Sequence, residues 1–268
     1  MRAAMYYAND DVRIVDLPKP MIGSGEILVK VRTSGICGSD VMEWYRKPKA
    51  PLVLGHEIAA EVVEVGAGVD RIKKGDRVFV SHHVPCGTCR YCLAGHETVC
   101  DTLRTTNFDP GGFAEFVRVP AINVKHGVFP LPAEVSDEEG VFVEPLACVI
   151  RGQRLAGIRG GATVLVVGSG VAGLLHTQLA KSAGAAKVIA TDITEYRKAA
   201  AAKAGADLVI DGLKDVPATV REANGGRLAD YVITCTGAPP AIAQGLVSVD
   251  RGGTVLFFAP TEPAAKIE

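Results

Sequence analysis

The chain has 268 residues, 48% hydrophobic and 22% charged, enough for two modest domains with packed cores. Its 29 basic and 30 acidic residues leave a formal net charge of -1, which gives no electrostatic footprint for nucleic acid or an anionic membrane. The opening MRAAMYYANDDVRIVDLPKP has no apolar h-region, and no apolar run nears the roughly 20 residues that span a bilayer. No secretory signal and no membrane partner are expected, and the expected location is the cytoplasm.

Residues 1–150 hold short Val-rich segments: ILVKVRTSG, EIAAEVVEVGAGV, DRVFV and AEFVRVP. Turn chemistry recurs between them in KKGD, DPGG and LPAE, which suggests an irregular β domain. RGQRLAGIRGGA (151–162) reads as a linker. Beyond it, the apolar segments TVLVVG, KVIATD, DLVI, DYVITCTG and GTVLFFAP alternate with helical stretches. That alternation predicts a parallel sheet with helices on both faces, and the unbroken TVLVVG suits a strand buried on both sides.

Four of the seven cysteines crowd together in a C-x2-C-x2-C-x7-C spacing: Cys86, Cys89, Cys92 and Cys100. With no export signal, the crowding favours metal over disulfides. Four thiolates close a tetrahedral zinc shell and leave no open position, as a structural site requires. An iron–sulfur cluster also uses four cysteines and is the main rival.

A second donor set is more scattered. Cys37 lies in SGICGSD, His56 and Glu57 in LGHEIAAE, and Glu144 in VFVEPLAC. A thiolate, an imidazole and a carboxylate would leave one zinc position open, which a catalytic site needs. Singly these residues say little, since a lone buried cysteine is usually a small hydrophobe.

Gly168, Gly170 and Gly173 form a G-x-G-x-x-G that follows a strand and opens a helix, with Val171 and Ala172 completing the turn. Asp192 ends the next strand, at the place of the acidic residue that binds the adenosine ribose. A 2′-phosphate would meet that carboxylate, so NAD is favoured over NADP. His82 and His83 read as solvent-facing turn residues, His176 as packing, and Cys148 and Cys235 as buried small residues. Trp44 and Phe113 could line a substrate pocket or belong to the core.

CGSD (37–40), GHEIAAE (55–61), the four-cysteine loop, EPLAC (144–148) and the glycine motif occur in one order along essentially the whole chain. Together they resemble the zinc-dependent medium-chain dehydrogenases, in the sorbitol dehydrogenase-like polyol branch, with threonine dehydrogenase close by. The resemblance implies an α/β fold. A GroES-like, β-rich catalytic domain (1–150) would carry both zinc sites, and a doubly wound Rossmann sheet (151–268) would bind NAD. It implies a catalytic zinc on Cys37 and His56, with Glu57 or Glu144 as the third ligand, and Ser39 as the hydroxyl of a proton relay. Met42 stands where some alcohol dehydrogenases extend that relay through a histidine, and Arg197 matches a basic residue near the adenosine.

The implied activity is hydride transfer between a secondary alcohol or polyol and NAD. The alternatives are threonine dehydrogenase-like activity and an inactive NAD- and zinc-binding module. The implied cofactors are NAD with one catalytic and one structural zinc, and the implied assembly is a dimer or tetramer. Family members continue beyond AAKIE with a sixth strand, so the chain is expected to lack its C-terminal end and the sheet to be incomplete.

Overall fold

The computed structural model describes residues 1–267. It divides into two compact units, Met1–Pro145 and Leu146–Glu268.

The first unit contains β1 (Arg2–Ala8), β2 (Asp11–Asp16), β3 (Ile27–Gly35), β4 (Leu52–Val53), β5 (Glu57–Val65), β6 (Arg77–Val80), β7 (Phe116–Val119) and β8 (Val128–Pro130). They form two antiparallel sheets, ordered β2-β1-β4 and β7-β3-β5-β6-β8. Residues spaced by two turn inward: Ile27 and Val29, then Ile58, Ala60 and Val62, then Val78 and Val80, then Val117 and Val119. Each fully buried Val or Ile of this kind contributes about 1.5–3 kcal/mol. The sequence pattern misses the β1–β2 hairpin. β2 is an edge strand whose Val12 and Ile14 are exposed, so its alternation buries no face.

The second unit contains β9 (Thr163–Val167), β10 (Lys187–Asp192), β11 (Leu208–Asp211), β12 (Ala229–Thr234) and β13 (Val249–Phe257). They form one parallel sheet in the order β11-β10-β9-β12-β13. All five residues of β9 are buried, as its unbroken apolar run requires. The chain leaves β9 first toward β10 and later toward β12, so the C-terminal end of β9 is the switch point where ligands bind in such sheets.

Residues 151–156, read as linker, are instead the last turns of the helix Val143–Ala156. Gly152 there is a packing residue. A Cβ on it would press within 3.2–3.3 Å of the Phe258 and Leu256 side chains. Among the described residues, no helix is long and apolar enough to cross a membrane.

Candidate functional site

The loop between β6 and β7 gathers the four-cysteine set. Cys86 Sγ lies 3.9 Å from Cys92 Sγ and 3.7 Å from Cys100 Sγ, and Cys89 Sγ lies 3.5 Å from Cys92 Sγ. A tetrahedron of sulfurs about 2.3 Å from a central ion has edges of about 3.8 Å, so these spacings fit one zinc ion. They are too long for disulfides and too short to admit a multi-iron cluster among the sulfurs. Cys86 is held as the readiest ligand of the four. The Thr88 amide and hydroxyl and the Cys89 amide all donate to Cys86 Sγ, and they hold that thiol below its usual range.

The second set forms where two chain segments meet. Cys37 ends the stretch after β3 and caps the tight turn Gly38–Val41, accepting from the Ser39 amide at 3.5 Å. Glu57 opens β5 directly opposite Gly35. The donor atoms of Cys37, His56 and Glu57 all lie within 4.8 Å of one another. Glu144 is outside this close group, although its charge reaches Glu57. Burial raises the Glu57 carboxyl most, His56 opposes that shift, and Glu144 adds to it.

Asp40, 4% exposed, organises this set. One carboxylate oxygen accepts the Cys37 amide at 3.0 Å, and the other lies 3.5 Å from His56 Nδ1. Burial alone would push the His56 imidazole down, but hydrogen bonds to Asp40 and Cys37 prevail and raise it to about 10. A carboxylate behind a histidine fixes the ring and its tautomer, as around metal-bound histidines generally.

His82 and His83 are not solvent-facing. The His82 ring packs 4.7 Å from His56 and 4.0 Å from His83, with Phe108 on another side. Its Nδ1 is buried without a hydrogen-bond partner among the described residues, and burial pushes the ring down to about 2. His83 Nδ1 donates to the Thr106 carbonyl at 2.6 Å. Phe113 packs with Ala3, Val53 and Ala114, whereas Trp44 stays partly exposed beside Tyr45.

In the second unit the glycine motif sits at the switch point. Gly168 has φ 93°, which only glycine adopts without strain, and its amide donates to the Thr191 carbonyl at 3.0 Å. Gly173 lies so close to the Gly168 carbonyl oxygen that a Cβ would collide with it. Asp192 is buried at the end of β10 and accepts from the Ser169 amide at 2.9 Å, the Thr194 amide at 2.9 Å and the Thr194 hydroxyl at 3.0 Å. Burial would raise its carboxyl, but these donors and Arg197, 4.0 Å away, hold it below the usual range. A fixed, ionised carboxylate beside an open helix N-terminus suits ribose hydroxyls and a pyrophosphate.

The signals behind Asp40, Arg46 and His82 were weak in the sequence. Asp40 stands inside the quoted CGSD, while Arg46 and His82 reach the site only through folding.

Comparison with known proteins agrees with this architecture. Residues 23–133 match the alcohol dehydrogenase GroES-like domain, and residues 171–267 match the zinc-binding dehydrogenase family. The chain is 40% identical over 249 residues to the L-threonine 3-dehydrogenase of Pyrococcus abyssi, covering 90% of this chain and 70% of that protein. A zinc-binding dehydrogenase from Sinorhizobium meliloti, solved with NADP, superposes with a TM-score of 0.88 at 33% identity, covering 100% of this chain and 79% of its own. The 2R,3R-butanediol dehydrogenase of Bacillus subtilis superposes at 0.84 with 30% identity, again covering 100% and 79%. The chain belongs to the zinc-dependent medium-chain dehydrogenase family, and it is an oxidoreductase of the kind that acts on CH–OH groups.

Proposed function

We propose that the protein oxidises a secondary alcohol with NAD at a zinc held by Cys37, His56 and Glu57. The observation that carries this reading is the convergence of those three donors within 4.8 Å. They are the incomplete shell of a catalytic zinc, set apart from the complete four-thiol shell of Cys86, Cys89, Cys92 and Cys100. L-threonine is the first substrate to try, because relatives near 40% identity carry that activity in their names. Diols and polyols come next, in view of the butanediol dehydrogenase.

When bound, zinc supplies a Lewis acid that makes a hydroxyl proton removable near neutral pH, and NAD supplies the hydride acceptor. The protein's own groups do the rest. Asp40 holds the His56 ring in one orientation and, through the Cys37 amide, fixes the turn that carries Cys37. Glu57 is the third ligand, with Glu144 behind it as a neighbouring charge. Ser39, whose amide donates to Cys37 Sγ, carries the hydroxyl that would receive the substrate proton. Asp192 takes the ribose hydroxyls of NAD. Gly168, Gly170, Val171, Ala172 and Gly173 would let the backbone close on the pyrophosphate, and Arg197, 4.0 Å from Asp192, would meet the adenosine end.

The test combines zinc per chain by elemental analysis with NAD reduction over L-threonine, polyols and simple secondary alcohols. The Cys37→Ser variant should lose one zinc equivalent and nearly all turnover, while NAD binding by calorimetry stays intact. Full activity in that variant would sink the assignment.

A further inference from the structure

The Ser39 hydroxyl has a partner that no motif contains. Arg46 closes the helix Glu43–Arg46, seven residues after Ser39, and folds back over the turn. Its Nε donates to the Ser39 carbonyl at 2.8 Å and its Nη2 to Ser39 Oγ at 2.9 Å. Nη2 also approaches Asp40 Oδ1, at a longer 3.4 Å. The side chain is 14% exposed and rests 4.8 Å from the Tyr45 ring, so packing as well as hydrogen bonds holds it.

A serine hydroxyl offers one proton and two lone pairs, and it normally rotates to suit its neighbours. A guanidinium only donates, and it keeps its protons at any ordinary pH. Arg46 therefore occupies one lone pair of Ser39 and can never take the Ser39 proton. One donor and one acceptor direction remain, on a partly buried residue whose own amide donates to Cys37 Sγ. We infer that Arg46 is a positioning residue for the reaction. By its two-point grip it turns the Ser39 proton away from the guanidinium, so that the hydroxyl is free to donate to an oxygen bound at the site of Cys37. With Met42 offering no imidazole, this grip is what orients the hydroxyl. The inference rests on the reading of Cys37, His56 and Glu57 as a zinc site with an open position.

The test measures binding rather than turnover. Acetamide is a small neutral oxygen acceptor, and its affinity for the zinc-loaded chain is followed by ligand NMR titration in the wild type, Ser39→Ala, Arg46→Met, Arg46→Lys and the Ser39→Ala/Arg46→Met double variant. Zinc content is measured for each. Ser39→Ala should weaken acetamide by about 3- to 10-fold, the worth of one neutral hydrogen bond. Arg46→Met should lose most of that factor, and so should Arg46→Lys, which keeps the charge without the fork. In the double variant, removing Arg46 should cost nothing beyond the loss of Ser39. That result separates orientation from stapling, because the Arg46 bond to the Ser39 backbone survives in Ser39→Ala.

Additive losses, an unchanged Arg46→Met, or loss of zinc from that variant would make Arg46 a staple of the loop and overturn the inference. Failure of the wild type with both zincs to bind acetamide would instead overturn the open zinc position, and the inference with it.

Discussion

His176 shows how a single side chain can carry a cost that no function explains. It is fully buried on the helix Val171–Ser182, edge-on to Phe258, and its Nε2 has no partner among the described residues. Gln153 Nε2 donates to the His176 carbonyl at 2.9 Å and faces Nδ1 at 3.2 Å, so a proton on Nδ1 would confront another donor. Burial pushes this imidazole from 6.5 down to about 4. Between those values the unfolded chain binds a proton that the folded chain refuses, so stability falls as pH drops through that window. His176→Gln should lessen the fall in melting temperature from pH 6.5 to pH 4.5 relative to the wild type, leaving the share that buried His82 and His83 contribute by the same linkage. Parallel curves for the two proteins would mean that His176 contributes nothing to the acid sensitivity.

At the scale of elements, what could be read in advance follows from sequence separation. The four-cysteine loop and the glycine turn are each short and continuous, so spacing alone discloses their chemistry. The set of Cys37, His56 and Glu57 joins the end of β3 to the start of β5, so ligand type only suggests it and resemblance is what singles it out. The grip of Arg46 on Ser39 and the packing of His82 on His56 depend on how turns fold back, which periodicity does not encode. The helix Val143–Ala156 was obscured by Gly152, which is there to admit Phe258 and Leu256 rather than to break the chain. The glycine turn is testable as an element. In Gly173→Ala the new methyl would collide with the Gly168 carbonyl, so NAD affinity should fall by at least tenfold, an order of magnitude for about 1.4 kcal/mol of strain. Calorimetry showing undiminished NAD affinity would mean that the turn can open without cost.

At the scale of the whole molecule, each unit has its own core, and the proposed zinc and NAD sites fall in different units. The cluster that holds Ile58 and Val78 lies in Met1–Pro145, and those around Leu165 and Val164 lie in Leu146–Glu268. Ligands should therefore leave separable footprints in hydrogen exchange. Zinc should slow the amides of Cys86–Cys100, whose loop has few buried side chains of its own. NAD should slow those of Gly168–Gly173 and of Thr194. Zinc protection confined to the second unit, or NAD protection confined to the first, would contradict this division of labour.

The pairing of Gly35 with Glu57 has a consequence for how the protein can vary. Any Cβ at position 35 would fall on the Glu57 carboxylate and within 3.1 Å of its Cβ. A residue with no functional group is thus bound to the fate of one that has it. In a saturation library selected for activity, position 35 would look as intolerant as the proposed ligand opposite it, and a ranking of sites by tolerance alone would mistake an empty space for a reactive one.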